Sequence, residues 1–231
     1  MTDDPQAETG AVGRAPYDPM PHGPPEVGVG PWEGDLPTGS EYDPELLASG
    51  DRRNVVDRYR YWSVEAIVAD LDLHRHAFHV AIENWQHDFN IGSIVRTANA
   101  FLAKEVHIVG HRKWNRRGAM VTDRYQHVRY HRDFTELADW CRAESVPMIG
   151  IDNLPGSVPL EGFSLPRSCL LLFGQEGPGL SPAAHEAASA VCSIAQFGST
   201  RSINAGAAAA IAMHAWIRQH ADLGHDVAHG W

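Results

Sequence analysis

The stretch LLLFGQEGPGLS (170–181) decides the fold of this chain. Its four leading apolar residues are typical of a strand buried on both faces, and the glycines behind them predict a tight loop at the carboxyl end of that strand. In open α/β sheets such loops line the ligand crevice, where glycine lets a ligand approach the backbone closely. Glu176 lies in this loop and needs a hydrogen-bond donor if the turn is compact.

The glycine spacing excludes two common nucleotide-binding sites. The order GxxGxG at 174–179 is neither the dinucleotide fingerprint GxGxxG nor the phosphate loop GxxxxGK[ST]. No GxGxxG follows the first predicted strand, which disfavours a nicotinamide-dependent oxidoreductase. For this stretch alone, a tight turn that binds no ligand is the alternative interpretation.

Short apolar runs alternate with helical patterns from residue 77 onward. This alternation predicts βα units around a mostly parallel sheet flanked by helices, an α/β fold. The predicted strands are 77–82, 105–109, 146–151, 168–173 and 190–194. The predicted helices are 92–103, 134–144, 181–189 and 203–220, and a short helix over 63–71 precedes the first strand.

The N-terminal part of the chain differs in composition from the rest. Residues 1–50 contain nine Pro, eight Gly and ten acidic residues against one basic residue, which predicts a disordered acidic tail. We expect 51–76 to be a basic linker with the short helix, 77–222 to be one domain, and 223–231 to be a C-terminal tail. The linker arginines are Arg52, Arg53, Arg58 and Arg60.

Composition also limits the compartment and the cofactors. The chain has three cysteines without CxxC spacing, which indicates a reduced, cytoplasmic protein without a disulfide framework. No run of about 18 apolar residues occurs, and the acidic N-terminus is unlike a secretory signal, so we expect no membrane span. We also expect no metal.

A basic segment at 112–132 stands out from the net charge of −10. Seven Lys and Arg side chains there oppose a single Asp, with aromatic residues between them. Such a cluster can hold an anionic backbone or can simply be a solvated charged face. The candidate contact residues are Arg112, Lys113, Trp114, Arg116, Arg117, Arg124 and Arg129, with Tyr125 and Tyr130 as further stacking side chains.

Two more segments follow predicted strands. In NIGSIVR (90–96), Asn90 and Arg96 flank a helix start where an anion would be favoured, or they are only a capping residue and a surface arginine. In FGSTRSIN (197–204), small hydroxyls and one amide either cap the next helix or bind a ligand.

Taken together, the three segments resemble the motifs of the SPOUT-class RNA 2′-O-ribose methyltransferases of the TrmH/SpoU family. The family motifs stand here, in family order, as NIGSIVRTA (90–98), LLLFGQEGPGLS (170–181) and IAQFGSTRSINAGAAAA (194–210). The resemblance covers residues 77–220. Ala195 stands where the family usually has Pro, and Ile203 where Leu is more common.

The resemblance implies a deep C-terminal trefoil knot, a homodimer, and an S-adenosylmethionine-dependent enzyme. The substrate would be the ribose of a structured RNA, tRNA in preference to rRNA, and a non-catalytic RNA-binding or assembly protein of the same fold is the alternative. The Ala-rich helix at 203–220, with Met213, Trp216 and Ile217, suits a dimer contact. The cofactor would lie against Gly174, Gln175, Glu176, Gly179, Ile194, Gln196, Ser202 and Ile203.

The resemblance also implies the catalytic residues Arg96, Asn90, Glu176, Ser202 and Asn204. An arginine is a poor general base in water, so we hypothesise that Arg96 positions the target phosphate and stabilises the developing alkoxide. Asn90, Ser202 and Asn204 would orient Arg96 and the ribose. Glu176 would lock its loop and hold Asn90 or Arg96.

Overall fold

Seven parallel strands form one sheet in the structure, a computed structural model that describes residues 28–85 and 90–222. The strand order is β3-β2-β1-β6-β4-β7-β5, and every neighbouring pair is parallel. The predicted α/β class with a mostly parallel sheet is therefore confirmed. The strands are β1 (Phe78–Asn84), β2 (Val106–Gly110), β3 (Val128–His131), β4 (Met148–Ile151), β5 (Val158–Pro159), β6 (Cys169–Phe173) and β7 (Ala190–Ser193).

All five predicted strands and all five predicted helices are present, with their ends shifted by a few residues. β3 and β5 have no counterpart in the prediction, because a short strand at the sheet edge lacks the continuous apolar run of a central strand. A further helix precedes the predicted ones. The α-helices within the described residues are α1 (Pro44–Ser49), α2 (Val64–Asp72), α3 (Asn90–Ala100), α4 (Phe134–Glu144), α5 (Pro182–Ala187) and α6 (Ala205–His220).

Apolar side chains bury both faces of the sheet. One face carries α3 and α6, and the fully buried Phe78 and Trp216 have their ring centroids 4.6 Å apart in its core. The other face carries α4 and α5, with Leu137 and Leu172 in its core. Since each face needs apolar residues, the central strands β1 and β6 are buried along their whole length.

The buried side of α6 corrects one expectation. Met213 and Trp216, expected at a dimer contact, are fully buried in the chain's own core, and Ile217 packs against the same cluster. Trp216 Nε1 also donates to the carbonyl oxygens of Pro166 and Arg167 at 3.2 and 3.1 Å. The alanines of α6 allow its close approach to α3 and the sheet, so the Ala-rich pattern reflects packing within the chain.

The predicted disordered tail over 1–50 is wrong for residues 28–50, and residues 1–27 lie outside the described part of the chain. Val29 forms a backbone bridge to Asp51, and Asp43 caps α1 by accepting from the Glu45 amide at 2.8 Å. Aromatic packing adds stability that the low apolar content did not predict, since Trp32 meets Tyr61 edge to face at 5.3 Å.

A buried carboxylate holds the predicted basic linker. Asp51 is fully buried and accepts hydrogen bonds from Arg53 Nε at 2.9 Å and from the Tyr61 amide at 2.9 Å. Burial of Asp51 opposes its ionisation, but these hydrogen bonds prevail and lower its pKa to about 2. Arg58 likewise pairs with Asp70 at 3.0 Å. Both arginines therefore pair with acidic side chains of the linker and its helix.

The end of α2 is tied to the basic segment. Arg75 donates through Nη2 to the Tyr125 carbonyl at 2.9 Å and through Nη1 to Gln126 Oε1 at 3.1 Å. Asp72 Oδ1 lies 2.6 Å from Arg75 Nε and 2.8 Å from His127 Nε2. These contacts fix the position of the segment that was predicted to bind RNA.

The Tyr125 ring corrects a further expectation. Tyr125 is buried together with Tyr59 and Ile67 in a small apolar cluster. This cluster lies between the N-terminal segment (residues 28–76) and the body of the protein (residues 77–222). Tyr125 was expected to stack on unpaired bases, but the N-terminal segment already covers its faces. A sequence pattern cannot distinguish such an anchoring aromatic residue from an exposed one.

The three cysteines, Cys141, Cys169 and Cys192, are all free and buried. Burial raises the pKa of the first two thiols to about 12 and that of Cys192 to about 11, which makes them inert. Among the described residues, no helix has both the length and the apolar character needed to cross a bilayer.

Three buried histidines form a chain across β1, β2 and β3. His79 Nδ1 lies 3.1 Å from His107 Nε2, and His107 Nδ1 lies 2.9 Å from His131 Nε2, while Trp140 of α4 covers the rings. Burial is the main cause that lowers the pKa of His79 to about 4 and that of His107 to about 2. The pKa of His131 is lowered by the same cause.

The three buried histidines should make the stability of the protein sensitive to acid. Below pH 6.5 the His79 side chain of the unfolded state is protonated, whereas folded His79, with its pKa of about 4, stays neutral. Protons therefore bind preferentially to the unfolded state, and the free energy of unfolding falls as the pH drops from 6.5 towards 4. We expect His79→Gln to remove about 2 kcal/mol of the stability difference between pH 7 and pH 5. Urea unfolding of both proteins at several pH values in metal-free buffer measures this, and parallel pH curves would contradict it.

Candidate functional site

Segments that follow three adjacent strands meet at one edge of the sheet. β6, β4 and β7 are neighbours, and since they are parallel, the segments after them leave at the same edge. A cavity of about 290 Å³ opens there. All eight residues predicted to contact a cofactor line it, namely Gly174, Gln175, Glu176, Gly179, Ile194, Gln196, Ser202 and Ile203.

The loop after β6 closes on its own backbone. Gln175 and Gly179 exchange two backbone hydrogen bonds of 3.1 and 3.0 Å. A Cβ atom on Gly174 would lie only 2.0 Å from the carbonyl carbon of Gly179, so this position requires glycine. Gly179 itself has φ of +74°, which glycine adopts without strain.

Two carboxylates, from the strands on either side of β6, accept hydrogen bonds from the residues that end this loop. The buried Glu83, in β1, accepts from the Ser181 amide at 2.9 Å. Asp152, directly after β4, accepts from the Leu180 amide at 2.8 Å. Charged acceptors form stronger hydrogen bonds than neutral ones, so both ends of the turn are well fixed.

Side chains from all three motifs form one hydrogen-bonded group beside the cavity. Asn90 Nδ2 donates to Glu176 Oε2 at 2.8 Å, and Asn204 Nδ2 donates to Asn90 Oδ1 at 2.8 Å. Asn204 Nδ2 also lies 3.3 Å from Glu176 Oε1. Asn204 Oδ1 caps α6 by accepting from the Gly206 amide at 2.9 Å. Asn90 and Asn204 therefore both supply Glu176 with the hydrogen-bond donors that its turn requires.

Arg96 and Ser202 take no part in this group. Arg96 is exposed on α3, away from the cavity lining, and forms no hydrogen bond or ion pair with any other residue that the structure describes. Ser202 lines the cavity and is exposed. The chain thus brings four of the five predicted catalytic residues to one place and leaves Arg96 on the adjoining surface.

The sequence did not predict two polar residues that line the cavity, or a carboxylate that contacts its neighbouring segment. Asp152 and Asn153 line it, and their signal is a polar pair directly after the apolar run of β4. Glu161 Oε1 accepts from the Ala195 amide at 2.9 Å. Proline, the usual family residue at 195, has no N–H and could not form this bond. The departure from the motif therefore replaces a fixed dihedral angle with a hydrogen bond.

Gln196 shows that the cavity has unmet hydrogen-bonding capacity. Its Oε1 atom is buried and has no partner among the residues that the structure describes. Apolar side chains, including Ile151, Phe173 and Ile203, line the same cavity. A ligand with an N–H group and an apolar or aromatic surface would satisfy both features.

The basic segment packs directly on the helix that carries Asn90. A Cβ atom on Gly92 of α3 would lie 2.8 Å from the Ala119 amide nitrogen, so glycine permits this close contact. The segment contains two short 3₁₀ helices, Arg116–Ala119 and Thr122–Arg124. This packing places the positive surface next to the helix that begins at the cavity.

Aromatic rings support several of the exposed cations. The Arg112 guanidinium lies 5.2 Å from the Tyr130 ring centroid, and that of Arg116 lies 5.5 Å from the Trp114 ring. Trp114 Nε1 lies 3.3 Å from the Tyr130 hydroxyl. Arg112, Lys113, Arg116, Arg117 and Arg124 are exposed, and Trp114 is half-buried.

Arg129 differs from the other predicted RNA contacts. It lies in β3, at the edge of the sheet, and its Nε donates to Glu105 Oε1 at 3.0 Å. Its guanidinium also lies 5.7 Å from the Trp140 ring centroid, on the α4 face. The structure therefore separates Arg129 from the loop that contains Arg112 and Arg117.

The family model of the SpoU rRNA methylases matches residues 77–214, which include every motif of the cavity. The chain belongs to this family. A curated relative, the tRNA (cytidine(34)-2′-O)-methyltransferase of Ancylobacter novellus, is 31% identical over 137 residues, covering 56% of this chain and 85% of the relative.

Solved structures agree with the SpoU assignment. The SpoU methyltransferase AviRb from Streptomyces viridochromogenes is 26% identical with a TM-score of 0.57, and the match covers 65% of this chain and 63% of that one. Its complex with AdoMet is 27% identical with a TM-score of 0.55, covering 65% and 60%. The A. aeolicus TrmH/SpoU tRNA modifying enzyme, at 19% identity and a TM-score of 0.60, covers 68% and 81% and supports the fold alone.

Gly174 provides a test of the loop geometry. We expect Gly174→Ala to lower the free energy of unfolding by about 2 kcal/mol, because its methyl group would displace the backbone of Gly179. Urea unfolding measures this difference. Gly198→Ala is the matched control, since its Cβ would meet nothing within 4 Å. Equal stability of the two variants would contradict the closed loop.

Proposed function

We propose that this SpoU-family protein is an enzyme that transfers a methyl group from S-adenosylmethionine to a ribose 2′-hydroxyl of tRNA. The observation that carries this proposal is the meeting of all three family motifs at one cavity, through Asn90, Glu176 and Asn204.

The cavity fits the proposed cofactor. Gln196 Oε1 offers a buried acceptor to an amino group, and the apolar lining suits an adenine ring. Backbone groups of the closed loop, from Gly174 to Gly179, offer further donors and acceptors at the cavity wall. The bound cofactor supplies an electrophilic methyl group, and the residues of the chain bind, orient and handle the proton of the hydroxyl.

The Asn90–Glu176–Asn204 group has a positioning role. It joins the start of α3, the loop after β6 and the start of α6, so the three cavity walls keep their spacing. Such fixed geometry is worth more to a transfer reaction than any single contact, because the reacting atoms must meet in line.

Arg96 acts on the RNA in this proposal. Its exposed guanidinium has no partner among the described residues, so it is available to the phosphate next to the target ribose. There it stabilises the negative charge that develops on the 2′-oxygen. The phosphate oxygen that it holds can accept the hydroxyl proton, since the guanidinium itself cannot.

The basic segment binds the RNA backbone in this proposal. Arg112, Arg116 and Arg117 are exposed on the loop after β2, next to α3, and the Trp114 ring offers a surface for an unpaired base. We leave Arg129 out of this surface, because it lies in β3 on the α4 face and pairs with Glu105. The N-terminal segment supports the loop from behind through Arg75.

The choice of tRNA is supported by the Ancylobacter novellus relative, whose name specifies ribose 34 of tRNA and 85% of which is matched. The rRNA in the family name is the competing substrate.

We further infer a trefoil knot and a homodimer. The knot is supported by the contact between the start of α6 and the loop after β6. Ala207, Ile211 and His214, on the exposed side of α6, are the dimer residues that we propose.

Methylation mapping tests the activity. With S-adenosylmethionine, we expect the protein to modify one ribose in unmodified tRNA, nucleotide 34 being the first to test, and to leave rRNA unmodified. Arg96→Ala should lower the transfer rate by about 100-fold with unchanged cofactor affinity. Arg142→Ala, on α4, is the matched control. Methylation of rRNA alone would reverse the substrate choice, and cofactor-independent RNA binding without transfer would support the non-catalytic alternative.

RNA binding by the basic segment can be tested separately from methyl transfer. The double variant Arg116→Ala/Arg117→Ala should bind tRNA more weakly and reduce the slope of log affinity against log salt by about 2, since two phosphate contacts are lost. Arg142→Ala/Arg167→Ala removes the same charge from two exposed arginines outside the basic segment and should behave as wild type. Filter binding over a salt series measures both, and equal slopes for the two variants would place the RNA elsewhere.

A further inference from the structure

We propose that His79, Glu105 and His107 form a binding site for a transition-metal dication, with Zn²⁺ as the best match. This site lies outside the cofactor cavity and is not needed for the proposed methyl transfer. It goes against the expectation from the sequence, where the three residues show no recognisable ligand spacing because two strands contribute them.

Strand register brings the three side chains together. Val80 of β1 is paired with Val106 of β2, and the Val80 amide donates to the Glu105 carbonyl at 3.1 Å. Glu105 and His107 are two residues apart and so point to the same face of the sheet, the face on which His79 lies. The register of two parallel strands thus creates a group that neither strand holds alone.

The distances suit a small metal ion. His79 Nδ1 and His107 Nε2 are 3.1 Å apart, and Glu105 Oε2 is 3.8 Å from His107 Nε2. All three ligand atoms lie within 4.8 Å of one another. Ligands at about 2.0 to 2.1 Å from a tetrahedral Zn²⁺ lie roughly 3.3 Å apart, so a small rotation of the glutamate would complete the set.

The proton arrangement also favours an ion. The two facing imidazole nitrogens carry lone pairs when both rings are unprotonated there, so one proton must be shared between them in the absence of a metal. A dication takes the place of that proton and binds both lone pairs. Two imidazoles and one carboxylate are the donor set that zinc accepts, whereas Mg²⁺ and Ca²⁺ prefer oxygen ligands.

Neighbouring side chains would orient the ligands. His107 Nδ1 lies 2.9 Å from His131 Nε2 and can donate a hydrogen bond to it. This bond fixes the His107 ring with its own Nε2 facing the ion. Glu105 Oε1 accepts from Arg129, which leaves Oε2 directed to the histidines. The Trp140 ring centroid lies 4.3 Å from the His107 ring centroid and covers one side of the group. A water molecule would be the fourth ligand of a tetrahedral ion held by these three side chains.

Arg129 also affects the affinity for a metal ion through its charge. Its positive charge lies beside Glu105 and repels a dication. Removing that charge should tighten metal binding, while removing a ligand should weaken it. Opposite changes at two adjacent residues are difficult to explain by a general loss of stability.

Titration of the full-length protein with Co²⁺ and then Zn²⁺ tests the proposal. Wild type should bind one Co²⁺ with the intense visible absorption of a tetrahedral site, and Zn²⁺ should displace it and raise the Tm. Glu105→Gln, which keeps the hydrogen bond to Arg129, should weaken Zn²⁺ binding at least about 10-fold. His79→Gln should abolish the absorption, and Arg129→Gln should strengthen binding.

The control is His185→Gln, an exposed histidine on α5, which should titrate as wild type does. Wild type without a tetrahedral spectrum, or equal affinity in Glu105→Gln and wild type, would overturn the site and leave a purely hydrogen-bonded histidine chain. Because absorbance and Tm report binding directly, this result is independent of methyl transfer. Failure of the proposed enzymatic activity would leave the metal measurement unaffected.

Discussion

Three hydrogen bonds among Asn90, Glu176 and Asn204 join parts of the chain up to 114 positions apart. The relative positions of three cavity walls depend on this junction. It sets where α3 and α6 begin relative to the loop after β6, and the closed backbone of that loop forms one wall of the cavity. The carboxylates of Glu83 and Asp152 hold the same loop from the strands below.

The junction also connects the cavity to the surface that we assign to RNA. α3 begins at Asn90 and packs through Gly92 against the backbone of the basic segment. That segment is held on its other side by Arg75 and by the buried Tyr125. A substrate held by the basic loop is therefore positioned relative to the cavity by rigid elements, which is the arrangement that a group-transfer reaction needs.

The α/β class and the main strands were predictable because burial on both faces imposes long apolar runs, as in LLLF of β6. The cavity residues were predictable because glycines and small polar residues follow those strands in the order of a known family. The edge strand β3 and the structured segment 28–50 were not predictable. β3 has Arg129 and His131 where a central strand would be apolar, and the N-terminal segment gains its order from contacts such as Asp51 with Arg53.

The sequence by itself determined the fold class, the family and the loops that form the cavity, since these follow from local pattern and spacing. Only the tertiary structure decided which side chains meet. It buried Tyr125, Met213 and Trp216, left Arg96 on the surface, and brought His79 to within 3.1 Å of His107. The reason is that strand register and helix packing are set by the whole core, and a side chain's neighbours across a sheet are not encoded in its own segment.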